Sequence, residues 1–307
     1  MAATLAQLRH FIALAESGSF THAADRARRS QAAFSRSIAV LETTLGGELV
    51  ERAGQRNQLT MLGRMVLAHA REVVAQADEL QQVALHHVSG YAGQVRLGLG
   101  PTPSALLSQP LLIFAAQYPT GMRVRITRGP RPSQLLALRN RDIDALVIDL
   151  RFIPQADSDL VVKKVVDMPL GVLCRRDHPL TRNSQADLPE LLKYPIATTA
   201  VADLFARQLV EHFGQAAHPD FSVALESEDL PELLQAACLS DAVYVGVLAP
   251  AQSLLEQQKL VRLPFSSQGL TSHIAWVQRK ERISNPVLDE VQALVISELT
   301  SQSNLFQ

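Results

Sequence analysis

Arginine side chains are concentrated at the beginning of the chain. Residues 1–60 contain seven Arg against five acidic residues, although the 307-residue chain as a whole has a formal net charge of -1. These arginines are residues 9, 26, 28, 29, 36, 52 and 56, and no Lys occurs before Lys163. A guanidinium can donate paired hydrogen bonds to a phosphate or to a guanine edge. The first segment, rather than the whole chain, is therefore predicted to contact such groups.

A second group of polar side chains stands where predicted strands end. Thr102 and Ser104 follow one strand, Thr198 and Thr199 occupy the corresponding place further along, and Asp149 ends another strand. Ligands of open α/β sheets bind outside the carboxyl ends of the strands, and free amides at a helix start favour an anion. We expect these residues to hold a small polar or anionic metabolite, although each could equally be a turn or cap residue.

The negative charge of Asp149 would repel a ligand that is itself a simple carboxylate. Arg131, in the loop 129–133, is a further expected contact, and either Arg128 or Arg131 could offset the charge of Asp149. Alternatively, the ligand could carry a donor such as an amine or hydroxyl. The residues leave both alternatives open.

Motifs for catalysis or metal binding are absent from the sequence. There is no GxSxG, P-loop, GxGxxG, CxxC or HExxH motif, and the nine His are scattered without metal-ligand spacing. We therefore expect no catalytic residue, no metal and no cofactor. An enzyme of the α/β class would lack a nucleophile and base.

Composition indicates a soluble cytoplasmic protein. Aromatic residues are only 5% of the chain, which argues against stacking surfaces for single-stranded nucleic acid. Cys174 and Cys238 are interpreted as buried reduced thiols, with a redox-sensing pair as the less favoured alternative. We expect no signal peptide and no membrane helix, since charges or prolines interrupt the apolar runs.

The spacing of apolar residues in the first segment predicts three short helices. Each begins with a capping hydroxyl, namely Thr4, Ser19 and Ser30. In the third helix, Phe34, Ile38, Leu41 and Leu45 form the packed stripe. Ala32, Ser35, Arg36, Ala39 and Thr43 face outward. Such a small, polar face can approach a major groove closely, although a solvated surface is the alternative.

A hairpin and a long helix are predicted next. Residues 49–52 and 57–59 flank a turn that places Arg52 and Arg56 near its tip, as in a wing that grips phosphate or the minor groove. Thr60 caps a helix to about Val88, with Leu62, Val66, Val73, Ala77, Leu80 and Ala84 as its apolar stripe. At roughly 40 Å, this helix is too long for one small domain. It is predicted to pair with a second copy of the chain, with packing on its own chain as the alternative.

Residues 91–307 alternate between strand and helix patterns. Strands are predicted near 95–99, 124–128, 145–150, 160–166, 169–174, 195–199, 221–225, 242–246, 260–264 and 273–278. Helices are predicted near 104–117, 134–140, 188–193, 202–213, 229–239, 250–257 and 285–302. The alternation predicts an α/β fold with a parallel sheet covered by helices.

The segment LRHFIALAESGSFTHAADRARRSQAAFSRSIAVLETTLGGELVERAGQRNQLTMLGRMVLAHAR, residues 8–71, resembles the LysR-type transcriptional regulators. The matching motifs are Gly18-Ser19-Phe20-Thr21-x-Ala23-Ala24, Ser30-Gln31-x-Ala33-x-Ser35, Leu41-Glu42, Leu49-Val50-Glu51-Arg52 and Leu59-Thr60-x-x-Gly63. Arg141-Asp142-Ile143-Asp144 and Asp177-His178-Pro179-Leu180 also resemble family positions. The resemblance covers essentially the whole chain and is most specific over its first 71 residues.

The resemblance assigns roles to several residues of the first segment. It makes Gln31, Ser35 and Arg36 base or phosphate contacts, and Ser19 and Thr21 a phosphate-contacting helix start. Ala32 stands where the family usually has Pro, and Phe34 where it usually has Leu. Ala is also a good helix former, so little loss of fold is expected.

The resemblance also implies an architecture. Its parts are a winged helix-turn-helix DNA-binding domain (1–60), a linker and dimerisation helix (61–90) and a two-lobed effector-binding domain like a periplasmic binding protein (91–307). Lobe 1 is expected over about 91–167 and 270–307, and lobe 2 over about 168–269, with hinge crossings near 166–168 and 269–272. The effector would lie in the cleft, and its binding would re-aim the DNA-reading segments.

The implied partners are double-stranded operator DNA, a small-molecule effector, RNA polymerase and further copies of the chain, as homodimers that pair into homotetramers. A solute-binding receptor without a DNA role is the alternative function. The N-terminal segment counts against it.

Overall fold

The computed structural model describes residues 2–53, 56–89, 93–154, 159–182, 187–265, 271–280 and 285–306, without the side chains of residues 52, 53, 56, 79 and 81–89. The chain divides into two compact units, residues 1–91 and 92–307.

Three capped helices begin the first unit: α1 (Leu5–Ser17), α2 (Phe20–Arg26) and α3 (Gln31–Leu45). The side chains of Thr4, Ser19 and Ser30 each accept a hydrogen bond from a first-turn amide, as the sequence predicts. Gly18 and Gly46 end α1 and α3 in the left-handed conformation, with φ of 64° and 78°. Local capping chemistry therefore sets the bounds of these helices.

The core of this unit forms where α3 packs on α1 and α2. Phe34, Ile38 and Leu41 are buried as predicted, but Leu45 is 39% exposed, and its assignment to the packed stripe is wrong. Gly46 turns the chain immediately after Leu45, and Leu49, beyond that turn, is fully buried in the same core.

An antiparallel hairpin of β1 (Val50–Ala53) and β2 (Arg56–Leu59) follows α3. The Glu42 carboxylate accepts hydrogen bonds from the backbone N–H groups of Leu49 and Val50, at 2.8 and 3.3 Å. The backbone and side-chain N–H groups of Asn57 both donate to the Gly18 carbonyl, at 3.2 Å each. These bonds fasten the hairpin and the residue before it to the turn that precedes α2 and to the last turn of α3.

The long helix α4 (Met61–Ser89) has 29 residues, which corresponds to about 43 Å. The Thr60 hydroxyl accepts the Gly63 N–H at 2.9 Å, as expected of its cap. A Cβ atom at Gly63 would lie 2.0 Å from the Leu49 carbonyl oxygen, so only Gly permits this close approach. Helix α1 packs beside α4, with ion pairs from Arg9 to Asp78 and from Arg71 to Glu16.

The predicted apolar stripe of α4 divides into two parts. Leu62 and Val66 pack against the core of their own unit, which corrects their assignment to a seam with another chain. Val73 and Leu80 are 46% and 72% exposed, and Met65 is 58% exposed. The unpartnered apolar part of α4 is therefore its middle section.

The described residues of the second unit form one nine-stranded sheet. In chain order, the strands are β3 (Gly93–Leu99), β4 (Met122–Thr127), β5 (Ala145–Asp149), β6 (Leu160–Arg175), β7 (Ile196–Thr198), β8 (Val223–Glu226), β9 (Val243–Val247), β10 (Leu260–Arg262) and β11 (Thr271–Arg279). Their order across the sheet is β4-β3-β5-β11-β6-β9-β7-β8, with β10 also paired to β6. Pairs made by β6 or β11 are antiparallel and the others are parallel, so the sheet is mixed rather than wholly parallel.

Strand β6 joins the two lobes and corrects a second expectation. Residues 160–166 and 169–174 are predicted as separate strands, but β6 is continuous. It pairs with β11 as far as Pro169 and with β9 from Leu170, so hydrogen bonding to successive neighbours keeps it extended. The change of partner lies just beyond the predicted crossing at 166–168. Of the second predicted crossing, 269–272, residues 269 and 270 lie outside the described residues, and residues 271 and 272 begin β11.

Helices cover this sheet. They are α5 (Pro101–Gln117), α6 (Arg131–Arg139), α7 (Leu188–Leu191), α8 (Asp203–Phe213), α9 (Pro219–Ser222), α10 (Leu230–Leu239), α11 (Gln252–Glu256) and α12 (Pro286–Asn304). Helices α5 and α12 pack together with β3 and β6 around the buried side chains of Trp276 and Leu299. We call β3–β5, β11 and residues 160–169, with α5, α6 and α12, lobe 1. Residues 170–265 are lobe 2.

Candidate functional sites

The outward face of α3 carries few long side chains. Gln31, Ala32, Arg36, Ala39 and Thr43 are exposed, whereas Ser35 is half-buried. The Thr43 hydroxyl donates to the Ala39 carbonyl of its own helix at 2.8 Å. Gln31 and Arg36 are thus the long polar side chains at the N-terminal part of a low surface, which is the shape needed to enter a major groove.

The other residues predicted to contact DNA lie on separate elements. The Ser19 hydroxyl caps α2 by accepting the His22 N–H at 3.5 Å, and Thr21 is exposed in the first turn of α2. Arg52 and Arg56 lie on β1 and β2 close to the hairpin turn, as predicted. Their side chains and the turn residues 54 and 55 lie outside what the structure describes.

A cavity of about 170 Å³ lies within the second unit, between its two lobes. Thr102, Arg131 and Asp149 line it from lobe 1, and Thr198 and Thr199 line it from lobe 2. Five of the six predicted effector contacts are thus brought together. Ser104 is the exception: it is buried inside α5, where its hydroxyl lies 3.4 Å from that of Ser108.

The start of α5, which is predicted to bind an anion, has few backbone N–H groups free to do so. The helix begins at Pro101, earlier than expected, and Pro101 and Pro103 have no N–H. The N–H of Gly100 donates to the Val147 carbonyl at 2.9 Å, and that of Ser104 to the Gly100 carbonyl at 2.8 Å. Thr102 is therefore the one residue in this described turn whose amide is left for a ligand.

The carboxylate of Asp149 is paired with Arg151, a residue that no sequence motif indicates. Arg151 donates to it from the backbone N (2.9 Å), Nε (2.9 Å) and Nη2 (2.5 Å), and the Ser272 hydroxyl donates at 2.6 Å. Burial alone would raise the pKa of Asp149. The hydrogen bonds and charge of Arg151, with the bond from Ser272, outweigh it and hold the pKa below its usual value.

This pair corrects the expectation that Arg128 or Arg131 offsets Asp149. Four hydrogen bonds engage both carboxylate oxygens, so Asp149 offers little to a ligand amine or hydroxyl. The Arg151 guanidinium also lies 4.0 Å from the ring centroid of Phe205 in lobe 2.

Arg131 is less completely engaged. Its guanidinium lies 3.8 Å from the ring centroid of Phe152, and its Nη2 lies 3.5 Å from an oxygen of Glu228 across the lobes. Its Nε is buried without a hydrogen-bond partner among the described residues. An unsatisfied buried donor costs roughly 1–3 kcal/mol, which an incoming acceptor would recover.

Neither cysteine has the environment of a reactive thiol. Burial raises the pKa of Cys174 to about 11 and also raises that of Cys238, while Arg175 and Lys259 respectively oppose the shift. Within the described ranges, no three His, Cys, Asp or Glu side chains are grouped so that they could hold a metal ion. No helix in the same ranges combines the length and apolar character needed to cross a membrane.

Comparisons with known proteins agree with this arrangement. Residues 5–64 match the family described as "Bacterial regulatory helix-turn-helix protein, lysR family", and residues 89–299 match "LysR substrate binding domain". The chain is 32% identical over 300 residues to the SDS degradation transcriptional activation protein of a Pseudomonas strain, covering 96% of each chain.

Two solved structures have the same fold. Full-length OxyR from Pseudomonas aeruginosa is 24% identical with a TM-score of 0.65, over 96% of this chain and 94% of that one. CbnR, solved in complex with its target DNA, is 22% identical with a TM-score of 0.60, over 97% of this chain and 99% of the other. With both units matched to family models and a full-length relative above 30% identity, the chain belongs to the LysR family of DNA-binding transcriptional regulators, with a helix-turn-helix and an effector-binding domain.

Proposed function

We propose that this regulator reads operator DNA with the outward face of α3, aided by the β1–β2 hairpin, and alters that binding when an effector occupies the cavity between its lobes. The observation that carries the proposal is the low outward face of α3, on which Gln31 and Arg36 are exposed. Arg and Gln are side chains that hydrogen-bond the edges of guanine and adenine. Ala32 and Ala39 beside them let the backbone approach.

The effector is proposed to act by linkage. Thr102 and Arg131 from lobe 1, and Thr198 and Thr199 from lobe 2, line one cavity, so a ligand touching both sets favours one lobe arrangement over others. A difference in operator affinity between arrangements then makes DNA binding depend on the ligand.

The assembly and surroundings belong to the same proposal. The exposed apolar middle of α4 supports a homodimer, and pairing of dimers would give a homotetramer. We propose that the protein acts in the cytoplasm, beside the operator DNA and RNA polymerase, with neither a cofactor nor catalytic activity of its own.

Arg36→Ala tests the reading face. We expect operator affinity to fall by about 1–3 kcal/mol, roughly 5- to 150-fold, because one base or phosphate contact is lost. The measurement is fluorescence anisotropy on a duplex that the full-length protein selects from a random library. Circular dichroism should show an unchanged fold, since Arg36 is exposed.

Two further variants sharpen this test. Arg36→Lys keeps the charge but loses the planar fork, so it should recover only part of the affinity. Arg26→Ala removes another exposed Arg, which is paired 3.5 Å from Glu16, and should have the smaller effect. Wild-type affinity of Arg36→Ala would remove Arg36 from the reading face.

A further inference from the structure

The part of the cavity that extends into lobe 2 is predominantly apolar. Leu191, Phe205, Leu209, Phe213 and Phe265 all line it, and the rings of Phe213 and Phe265 lie with their centroids 5.4 Å apart. Four of the ten Phe in the chain contribute to this one cavity. A polar metabolite would have to give up its hydration against these side chains without regaining hydrogen bonds, which is unfavourable.

Arg131 is the charged group at this cavity whose hydrogen-bond donors are not all satisfied. Among the described residues that line the cavity, Arg131, Asp149 and Arg151 are charged. Asp149 and Arg151 neutralise each other, with side-chain exposures of only 10% and 13%. Arg131 remains, with its buried, unpartnered Nε and a loose 3.5 Å contact to Glu228, a side chain that is 43% exposed. An anionic oxygen would satisfy Arg131 better than this contact does.

We infer that the cavity takes a monoanionic organic acid with an apolar body, whose acid group binds Arg131 and whose body fills the Phe- and Leu-lined part of lobe 2. This inference rests on the proposed effector role of the cavity. The volume of about 170 Å³ is similar to that of an apolar cavity of about 150 Å³ that holds benzene, so the body has about the size of one aromatic ring or of a short alkyl chain. It narrows the expectation of a small polar or anionic metabolite to an anion that carries an apolar body.

Glu228 gives the inference a second consequence. Glu228 belongs to lobe 2 and Arg131 to lobe 1, so their ion pair spans the lobes. The acid group of the ligand would compete with Glu228 for Arg131. Removing the carboxylate should therefore strengthen binding of an acid, whereas removing Arg131 should weaken it.

The test is thermal unfolding of the full-length protein with four probes: phenylacetate, hexanoate, benzyl alcohol and acetate. A ligand that binds only the folded state raises the melting temperature in a concentration-dependent way, from which an apparent Kd follows. We expect phenylacetate or hexanoate to bind at least about tenfold more tightly than benzyl alcohol, which lacks the charge, and than acetate, which lacks the body.

Variants then locate the probe. R131M should weaken its binding at least about tenfold, and Glu228→Gln should tighten it. Leu209→Trp should abolish binding by filling the apolar part. Arg128→Met is the matched control, because Arg128 is an exposed Arg near Arg131 and does not line the cavity. It should leave both probe binding and operator binding unchanged.

Fluorescence anisotropy of operator binding, measured on the same preparations, distinguishes the proposed ligand class from the proposed regulatory function. If the wild type binds its selected duplex but neither acid raises the melting temperature, the ligand class is wrong and the reading face stands. The ligand class is also wrong if acetate or benzyl alcohol matches the acids, or if R131M binds them normally. If an acid binds with this variant pattern but never changes operator affinity, the ligand class stands and the regulatory role of the cavity fails.

Discussion

Asp149→Ala is expected to lower the free energy of unfolding of the effector-binding unit by about 3–5 kcal/mol, because it leaves the buried Arg151 guanidinium without its partner. The side chains of this pair are only 10% and 13% exposed, so solvent does little to replace the lost bonds. Urea unfolding followed by tryptophan fluorescence measures the effect. Trp276 is the only Trp of the chain and is buried in lobe 1, so the signal reports this unit within the full-length protein.

A matched control distinguishes burial from loss of any ion pair. Glu190→Ala breaks the exposed pair with Lys193, whose side chains are 37% and 61% exposed, and should cost no more than about 1 kcal/mol. The double variant of Asp149→Ala with Arg151→Met removes both charges, so it should recover much of the loss. Equal effects of Asp149→Ala and Glu190→Ala would contradict the importance of this buried pair.

The same carboxyl should make stability depend on pH. The folded-state pKa of Asp149 lies below the unfolded-state value of 3.8, so its contribution is fully present above that value. The contribution is lost as the pH falls through the lowered folded-state pKa. In acid titrations of stability, Asp149→Ala should therefore approach the wild type below about pH 4 and differ most from it at neutral pH. A constant difference across this range would contradict the shift.

Leu80→Glu should weaken self-association by about 3 kcal/mol or more, roughly a 150-fold higher dimer Kd, if the middle of α4 is the dimer seam. Leu80 is 72% exposed in the single chain, so the substitution itself should not unfold the protein. Light scattering across a dilution series measures the change in mass.

Ala68→Glu is the control for that experiment. Ala68 is also exposed on α4, and at about 100° per residue it lies roughly 120° around the helix from Leu80. It adds the same charge to the same helix and should leave the oligomer intact. If Leu80→Glu and the wild type have the same mass at every concentration, the seam lies elsewhere.

The sequence predicts structure best where that structure depends on neighbouring residues. The caps at Thr4, Ser19 and Ser30, and the ends at Gly18 and Gly46, depend on bonds within one turn of helix, so residue type alone indicates them. The change of partner of β6 from β11 to β9 depends on residues about 70–120 positions away in the sequence. No local pattern contains that information.

The residues that line the cavity also divide into those that local sequence indicates and those that only the fold brings together. Thr102, Asp149 and Thr198 could be chosen because they lie at or near strand ends, where parallel sheets collect ligands. Ser104 was misplaced by the early start of α5 at Pro101, a shift of one helical turn. Arg151 follows Asp149 by two residues and could have been suspected from a short turn after β5, but the apolar extension into lobe 2 arises from α7, α8 and β9 meeting in space.

Strand β6 has a mechanical consequence for any effector response. Its 16 residues span about 53 Å and are hydrogen-bonded to lobe 1 over one part and to lobe 2 over the next. Sliding by one residue would turn every side chain to the opposite face, so slippage is excluded and torsion about the strand axis is left. Because both ends of the strand are held by hydrogen bonds, its twist can change gradually as the lobes are pushed apart or drawn together. Ligands of different size should therefore set different angles between the lobes, producing a graded response in which partial agonists are expected.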